Sequence, residues 1–158
     1  MLPVSAPFGD LTLPDGDGPL LLASAGIGGT PMLAMLHHLA DTGSSRQVVA
    51  VHADRSPADH AHGDELRRLV GALPHAALHL WYEEADQQAS AVASASVAVS
   101  AGRADIGGLP LPEGITAYLC GPLPFMRTLR GDLLRRGVPP QAVHYEVFGP
   151  DLWLTQQP

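Results

Sequence analysis

Cysteine is almost missing from this chain: Cys120 is the single one in 158 residues. One thiol cannot close an intrachain disulfide, and it fits a reducing, cytoplasmic setting. It also rules out an iron–sulfur cluster held by cysteines, which takes four ligands. Basic residues are scarce too, 9 against 16 acidic, for a net charge of −7. That balance argues against a nucleic-acid-binding surface or an anionic membrane patch. No apolar run approaches the roughly 20 residues of a membrane helix. Met1-Leu2-Pro3 offers no basic region of a signal peptide. There is no Gly-x-Ser-x-Gly elbow, no Gly-Lys-Ser/Thr of a P-loop, and no carboxylate pair with a clear acid–base role.

What is present starts at Leu20. The run Leu-Leu-Leu-Ala-Ser-Ala breaks into Gly26, Ile27, Gly28 and Gly29, then Thr30-Pro31-Met32 opens an apolar-periodic segment. The order reads as strand, tight turn, helix start. Thr30 suits the N-cap, since its hydroxyl can accept from an N–H of the first turn. Pro31 suits the first helical position. Glycines let a ligand approach the backbone, and a helix N-terminus favours a phosphate or pyrophosphate. The G-x-G-x-x-G dinucleotide fingerprint is not met, because Pro31 stands where its last glycine would be. A plain strand–helix connection without ligand is the alternative reading of the turn.

Along the chain, residues 1–18 read as an N-terminal arm and residues 19–158 as the folded domain. Strands are expected over 19–24, 47–53, 76–82, 115–120 and 143–148. Helices are expected over 31–41, 64–73 and 123–137, with apolar residues near i, i+3, i+4 spacing. Residues 83–102, rich in Ala and Ser, read as a long mobile surface loop, and 105–112 as holding one helical turn. Strands alternating with helices predict an α/β fold: a three-layer, parallel five-stranded sheet with helices on both faces. Ligands of such sheets sit at the carboxyl ends of strands, near the switch in strand order.

One further end looks prepared: Tyr118-Leu119-Cys120-Gly121-Pro122-Leu123-Pro124-Phe125-Met126. Gly121 allows close approach and Pro122 opens a helix. Cys120 could lie beside a flat ring, or it could be a small buried hydrophobe. Taken with Gly26 to Met32, this segment resembles the nicotinamide-nucleotide half of ferredoxin–NADP reductase-like flavoenzymes. Pro7-Phe8-Gly9-Asp10 is similar to the end of that family's flavin domain. His144-Tyr145-Glu146-Val147-Phe148-Gly149-Pro150 and Gly102-Arg103-Ala104-Asp105 resemble flavohemoglobin segments. Neither a globin nor the Arg-x-Tyr-Ser motif of a flavin barrel is found, so the chain reads as a fragment, a split partner or a degenerate remnant.

The resemblance implies a ferredoxin-reductase type of NAD-binding fold and a set of roles. Gly26, Ile27, Gly28, Gly29, Thr30 and Pro31 would hold the pyrophosphate. Cys120, Gly121, Pro122 and Leu123 would border the nicotinamide. Val147, Phe148, Gly149 and Pro150 would touch FAD, with Glu146 tuning its electrostatics. Cys120 and Glu146 are thus the candidate catalytic residues. The implied reaction passes hydride from NADH, with NADPH possible, to a flavin held mostly by a separate flavin-binding domain or chain, as in a nitric oxide dioxygenase. His52 ends its strand at the ligand edge and could contact the adenosine half. Asp54 could accept from ribose hydroxyls, favouring NADH, whereas Arg55 could meet a 2′-phosphate. Asp59-His60-Ala61-His62 has no supporting ligand cluster, so it reads as a solvated loop and no metal site is expected. The competing reading is a nucleotide-binding or docking module without turnover.

Overall fold

Leu20, Leu21 and Leu22 are each no more than 1% exposed. A strand with no wet face belongs inside a sheet covered on both sides. In the computed structural model, which describes residues 18–26, 29–56, 58, 60, 62–84 and 97–147, that strand is β1 (Leu20–Ala25). It lies between β2 (Val48–Asp54) and β5 (Thr116–Gly121), pairing Leu20 with Val48 on one side and Thr116 on the other. With β3 (Ala76–Tyr82), β4 (Val97–Ala101) and β6 (Val143–Val147), the order is β4-β3-β2-β1-β5-β6, every pair parallel. The connections carry α1 (Gly29–Asp41), α2 (Gly63–Ala72) and α3 (Leu123–Arg135), plus a 3-10 turn at Pro140–Ala142. The α/β parallel architecture stands as expected, with six strands among the described residues where five were expected.

The pleat of the central strands sorts the core into two layers, since successive side chains point to opposite faces. Leu20, Leu22, Tyr118 and Cys120 pack with Met32, Leu36, Leu39, Leu66 and Val70 of α1 and α2. Leu21, Ala23, Ala117 and Leu119 pack with Met126, Leu129 and Leu133 of α3, together with Ile106 and Ile115. The 106–109 turn of that second layer is tied to α3: Arg136 donates to the carbonyls of Ile106 and Leu109, both at 2.6 Å. Between α1 and α2, His37 Nε2 donates to Glu65 at 2.7 Å. No helix among the described residues is long and apolar enough to cross a membrane.

Local departures from expectation have plain causes. The supposed loop 83–102 contains β4. Its single fully buried residue, Val97, and its Ala and Ser neighbours give too weak an alternation to announce an edge strand. The helix α1 begins at Gly29, so Thr30 is its second residue and not its cap, and Pro31 is its third. Proline is tolerated there because first-turn N–H groups have no intrahelical partner. Pro122 sits at the N-cap of α3 instead of opening it. Gly137 stops that helix as expected: at φ +92° its N–H donates to Leu134 at 3.1 Å, and Val138 donates to Leu133 at 3.0 Å. That bond pair is a Schellman motif. The expectations for Ile27, Gly28, Phe148, Gly149, Pro150 and the arm before Gly18 lie outside the described residues.

Candidate functional site

The connections run outward from β1 in two directions, through β2, β3 and β4 on one side and β5 and β6 on the other. The switch point therefore lies between β1 and β5, where open α/β sheets bind ligands. Gly26 ends β1 at φ +56°, a left-handed conformation that favours glycine. Among the described residues, nothing lies within 4 Å of where its Cβ would stand. Gly26 thus has open space beside its backbone among the described residues, three positions before the first residue of α1.

Two clefts open along this edge, one on each face of the sheet. The first, about 400 Å³, lies on the α3 side and is bordered by Ala25, Arg55, Arg103, Pro122, Phe125 and Leu129. The second, about 280 Å³, lies on the α1 and α2 side and is bordered by Gly29, Thr30, His52, His60 and His62. Gly26 and Asp54 border both.

Beneath the second cleft lies a polar cluster inside an otherwise apolar layer. Ser24, His52 and His60 are buried, at 2%, 1% and 9% exposure. His52 Nε2 is 3.0 Å from Asp54 Oδ2, and its Nδ1 is 2.7 Å from Ser24 Oγ. A carboxylate only accepts, so Nε2 donates to Asp54, while Nδ1 pairs with the Ser24 hydroxyl. His60 stacks on His52 with centroids 4.0 Å apart and planes 14° from parallel. Its Nδ1 shares a 2.8 Å hydrogen bond with the hydroxyl of Tyr82. A Cβ on Gly29 would come 3.2 Å from His52 Cε1, so this glycine at the start of α1 makes room for the ring.

Electrostatics follow from that burial. Desolvation, reinforced by His52, pushes the pKa of His60 down to about 3, so its ring is neutral at pH 7. Desolvation would raise Asp54, yet the hydrogen bonds from His52 and the Arg55 N–H hold it below the ordinary carboxylate value. Asp54 is therefore a fixed anion at the lip of both clefts. Burial raises Tyr82, which stays a protonated phenol.

The expected site residues come together only in part. Gly26 and Pro122 border the first cleft, Gly29, Thr30 and His52 the second, and Asp54 both. Pro31 is buried in the first turn of α1. His52, expected near the adenosine half, lines the floor of the second cleft with both ring nitrogens already engaged. Cys120 is 0% exposed and packs in the layer under α1 and α2, so no thiol edge faces either cleft. At Gly121, β5 lies close to both α3 and β1: a Cβ there would be 3.2 Å from Phe125 and 3.3 Å from Ala25. Leu123 is half-buried against the α3-side layer. On β6, Glu146 pairs in register with Cys120 and Val147 with Gly121, beside the switch point.

Comparison with known proteins agrees with this geometry. The family model for the oxidoreductase NAD-binding domain matches residues 22–131, from β1 into α3. The chain belongs to this family. It is similar to a flavohemoprotein of Chromobacterium violaceum, 41% identical over 150 residues, covering 94% of this chain and 37% of the relative. It also resembles the flavohem-like FAD/NAD binding domain of nitric oxide dioxygenase from Vibrio cholerae. There the TM-score is 0.75 and the identity 34%, over 90% of this chain and 56% of that one. A flavohemoglobin of Malassezia yamatoensis, solved with FAD and heme, matches at TM-score 0.72 and 32% identity, over 85% of this chain and 33% of that one. The resemblance to the reductase part of flavohemoglobins is borne out, and the chain spans little more than a third of the curated relatives it matches.

Within this NAD-binding domain, the sequence reading missed the buried cluster. The segment taken for a solvated loop places His60 under the cleft, while His62 is half-exposed and 3.7 Å from Glu65. A signal did exist: Ser24 in β1 and His52 with Asp54 in β2 are the polar exceptions in two apolar strands, all near the carboxyl end.

Proposed function

We propose that this domain binds a nicotinamide dinucleotide, NADH ahead of NADPH, along the carboxyl edge of its sheet and presents it to FAD held by a separate flavin-binding domain or chain. The observation that carries the reading is the meeting of two clefts at Gly26 and Asp54, on the switch point. The residues fit the group. The open space at Gly26 and the N–H groups at the start of α1 suit a pyrophosphate. The fixed carboxylate of Asp54 suits the hydroxyls of a ribose and repels a 2′-phosphate. Pro122 and Phe125 offer the first cleft a flat apolar wall for a ring.

When bound, the nicotinamide supplies hydride and the flavin accepts it. The chain's own part is to bind, orient and exclude water. The carboxyl ends of β1 and β5 set the depth at which the ring rests, and the tight packing at Gly121 keeps them together. Cys120 acts through the strand end that it anchors. The family resemblance assigns Glu146 and residues 147–150 to flavin contact and residues 1–18 to the end of a flavin-domain-like segment. The setting is cytoplasmic, with haem and FAD on other domains of a nitric oxide dioxygenase type of assembly.

Calorimetric titration of the chain with NADH and NADPH tests this directly. Binding of NADH tighter than NADPH is the expected result; no heat with either overturns the reading. The purified chain should be colourless and oxidise NADH no faster than free FAD does. Adding a flavin-barrel partner should restore turnover, and steady oxidation by a yellow chain alone would refute the division of labour.

A further inference from the structure

The buried imidazole of His52 forms part of the floor of the second cleft and touches two parts of the candidate site. On one side it abuts Gly29, at the first residue of α1. On the other it donates to Asp54, at the lip. From beneath it is held by the Ser24 hydroxyl, and on its flat face by His60, itself tied to Tyr82. A ring so enclosed has one orientation, and a carboxylate bonded to it takes up that ring's precision.

We infer that His52 is a positioning residue for nucleotide choice: seated by Ser24 and His60, it fixes the Asp54 carboxylate where a 2′-hydroxyl is accepted and a 2′-phosphate is turned away. This rests on the nucleotide reading above. Asp54 is the contact, and His52 acts through it. Without the Nε2–H donor, the carboxylate is released to solvent or toward Arg55, and its repulsion of a 2′-phosphate weakens. A merely structural role would weaken NADH and NADPH alike.

The test uses the 158-residue chain and the ratio of its Kd for NADPH to its Kd for NADH, read by calorimetry. His52→Asn keeps an amide near Ser24 but cannot reach Asp54. It should lower the ratio at least fivefold. His52→Gln reaches the Nε2 position and should stay within twofold of the parent. Asp54→Ala should lower the ratio as far as His52→Asn does, and the double variant should go no further. A His52→Asn ratio equal to the parent's overturns the inference, whatever happens to absolute affinity. So does a further drop in the double variant. Should His52→Asn not fold, Ser24→Ala carries the test, with a two- to threefold fall expected and an unchanged ratio overturning. If the parent chain binds neither nucleotide, the nucleotide reading itself has failed, a result distinct from an unchanged ratio.

Discussion

The two sides of the carboxyl edge are built on opposite principles. On the α1 and α2 side, the floor is a chain of hydrogen bonds from Ser24 through His52 to Asp54, with His60 stacked on His52 and hydrogen-bonded to Tyr82 behind it. On the α3 side, Ala25, Pro122, Phe125 and Leu129 make one apolar wall, with Arg55, Glu83 and Arg103 at the rest of the rim. Buried polar networks fix orientation, because each member left unpaired costs about 1–3 kcal/mol. Apolar walls reward contact area and tolerate sliding. A dinucleotide needs both, rigid recognition of its sugar–phosphate part and a smooth rest for its ring. The comparison teaches that the two halves should fail differently when cut.

The largest expected effect comes at Gly26, where the sides meet. Gly26→Val places a β-branched residue at φ +56° and fills the open space shared by both clefts. NADH affinity should fall by about a hundredfold, about 2.7 kcal/mol, with the far-ultraviolet circular dichroism unchanged. Unchanged affinity in titration would remove the turn from the site.

On the polar side alone, acid should act before it reaches the carboxylates. His60 has its pKa pushed down to about 3, from an ordinary 6.5. The unfolded chain therefore takes up this proton first, and stability is lost as pH falls below 6.5. Each unit is worth about 1.4 kcal/mol, so roughly 2 kcal/mol should go between pH 7 and pH 5. Denaturant titrations at the two pH values measure it, and His60→Phe should flatten the difference. The groups facing His60 are His52, Asp54, Tyr82, Arg67 and His62. A slope unchanged in the variant would place the acid sensitivity elsewhere.

The apolar side should respond only to ligands that carry a ring for it. Phe125→Ala removes a half-buried wall from the first cleft. A lost aromatic contact is worth about 0.5–1.5 kcal/mol, so NADH should bind about three- to tenfold more weakly. ADP-ribose, which lacks the nicotinamide, should bind as before. Equal loss for both ligands would mean that the two sides are not specialised. Smallest of all, Cys120→Ala should change NADH affinity by less than about 1 kcal/mol, since a thiol bonds weakly and this one faces neither cleft. Its effect should appear in the rate of flavin reduction with a partner domain present.

The same contrast explains what the sequence could tell. The strand–glycine–helix run at Leu20, the bounds of β3, and the Cys120-Gly121-Pro122 end are local patterns, and local patterns survive in one dimension. The apolar wall was legible for that reason, since Pro122 and Phe125 are neighbours in the chain. The polar floor was not. Ser24 and His52 are 28 residues apart, and His60 and Tyr82 are 22 apart. No periodicity announces a bond across strands. The fourth strand was hidden differently: in Val97-Ala-Val-Ser-Ala only the first residue is fully buried, so edge pairing and not a core pattern makes it a strand.

The pairing of β1 with β5 has a consequence for how the molecule comes into being. Leu20 bonds into register with Val48 28 residues on, but with Thr116 only after 96 residues have passed. Contacts so distant in sequence close late, because loop entropy must be met before they stabilise anything. As the chain leaves the ribosome, the β1-to-β4 half can assemble before β5 exists, and the nucleotide seam shuts only after that. A ligand spanning that seam has little to hold in the folding transition state. It should slow unfolding in proportion to its occupancy while leaving the folding rate almost untouched.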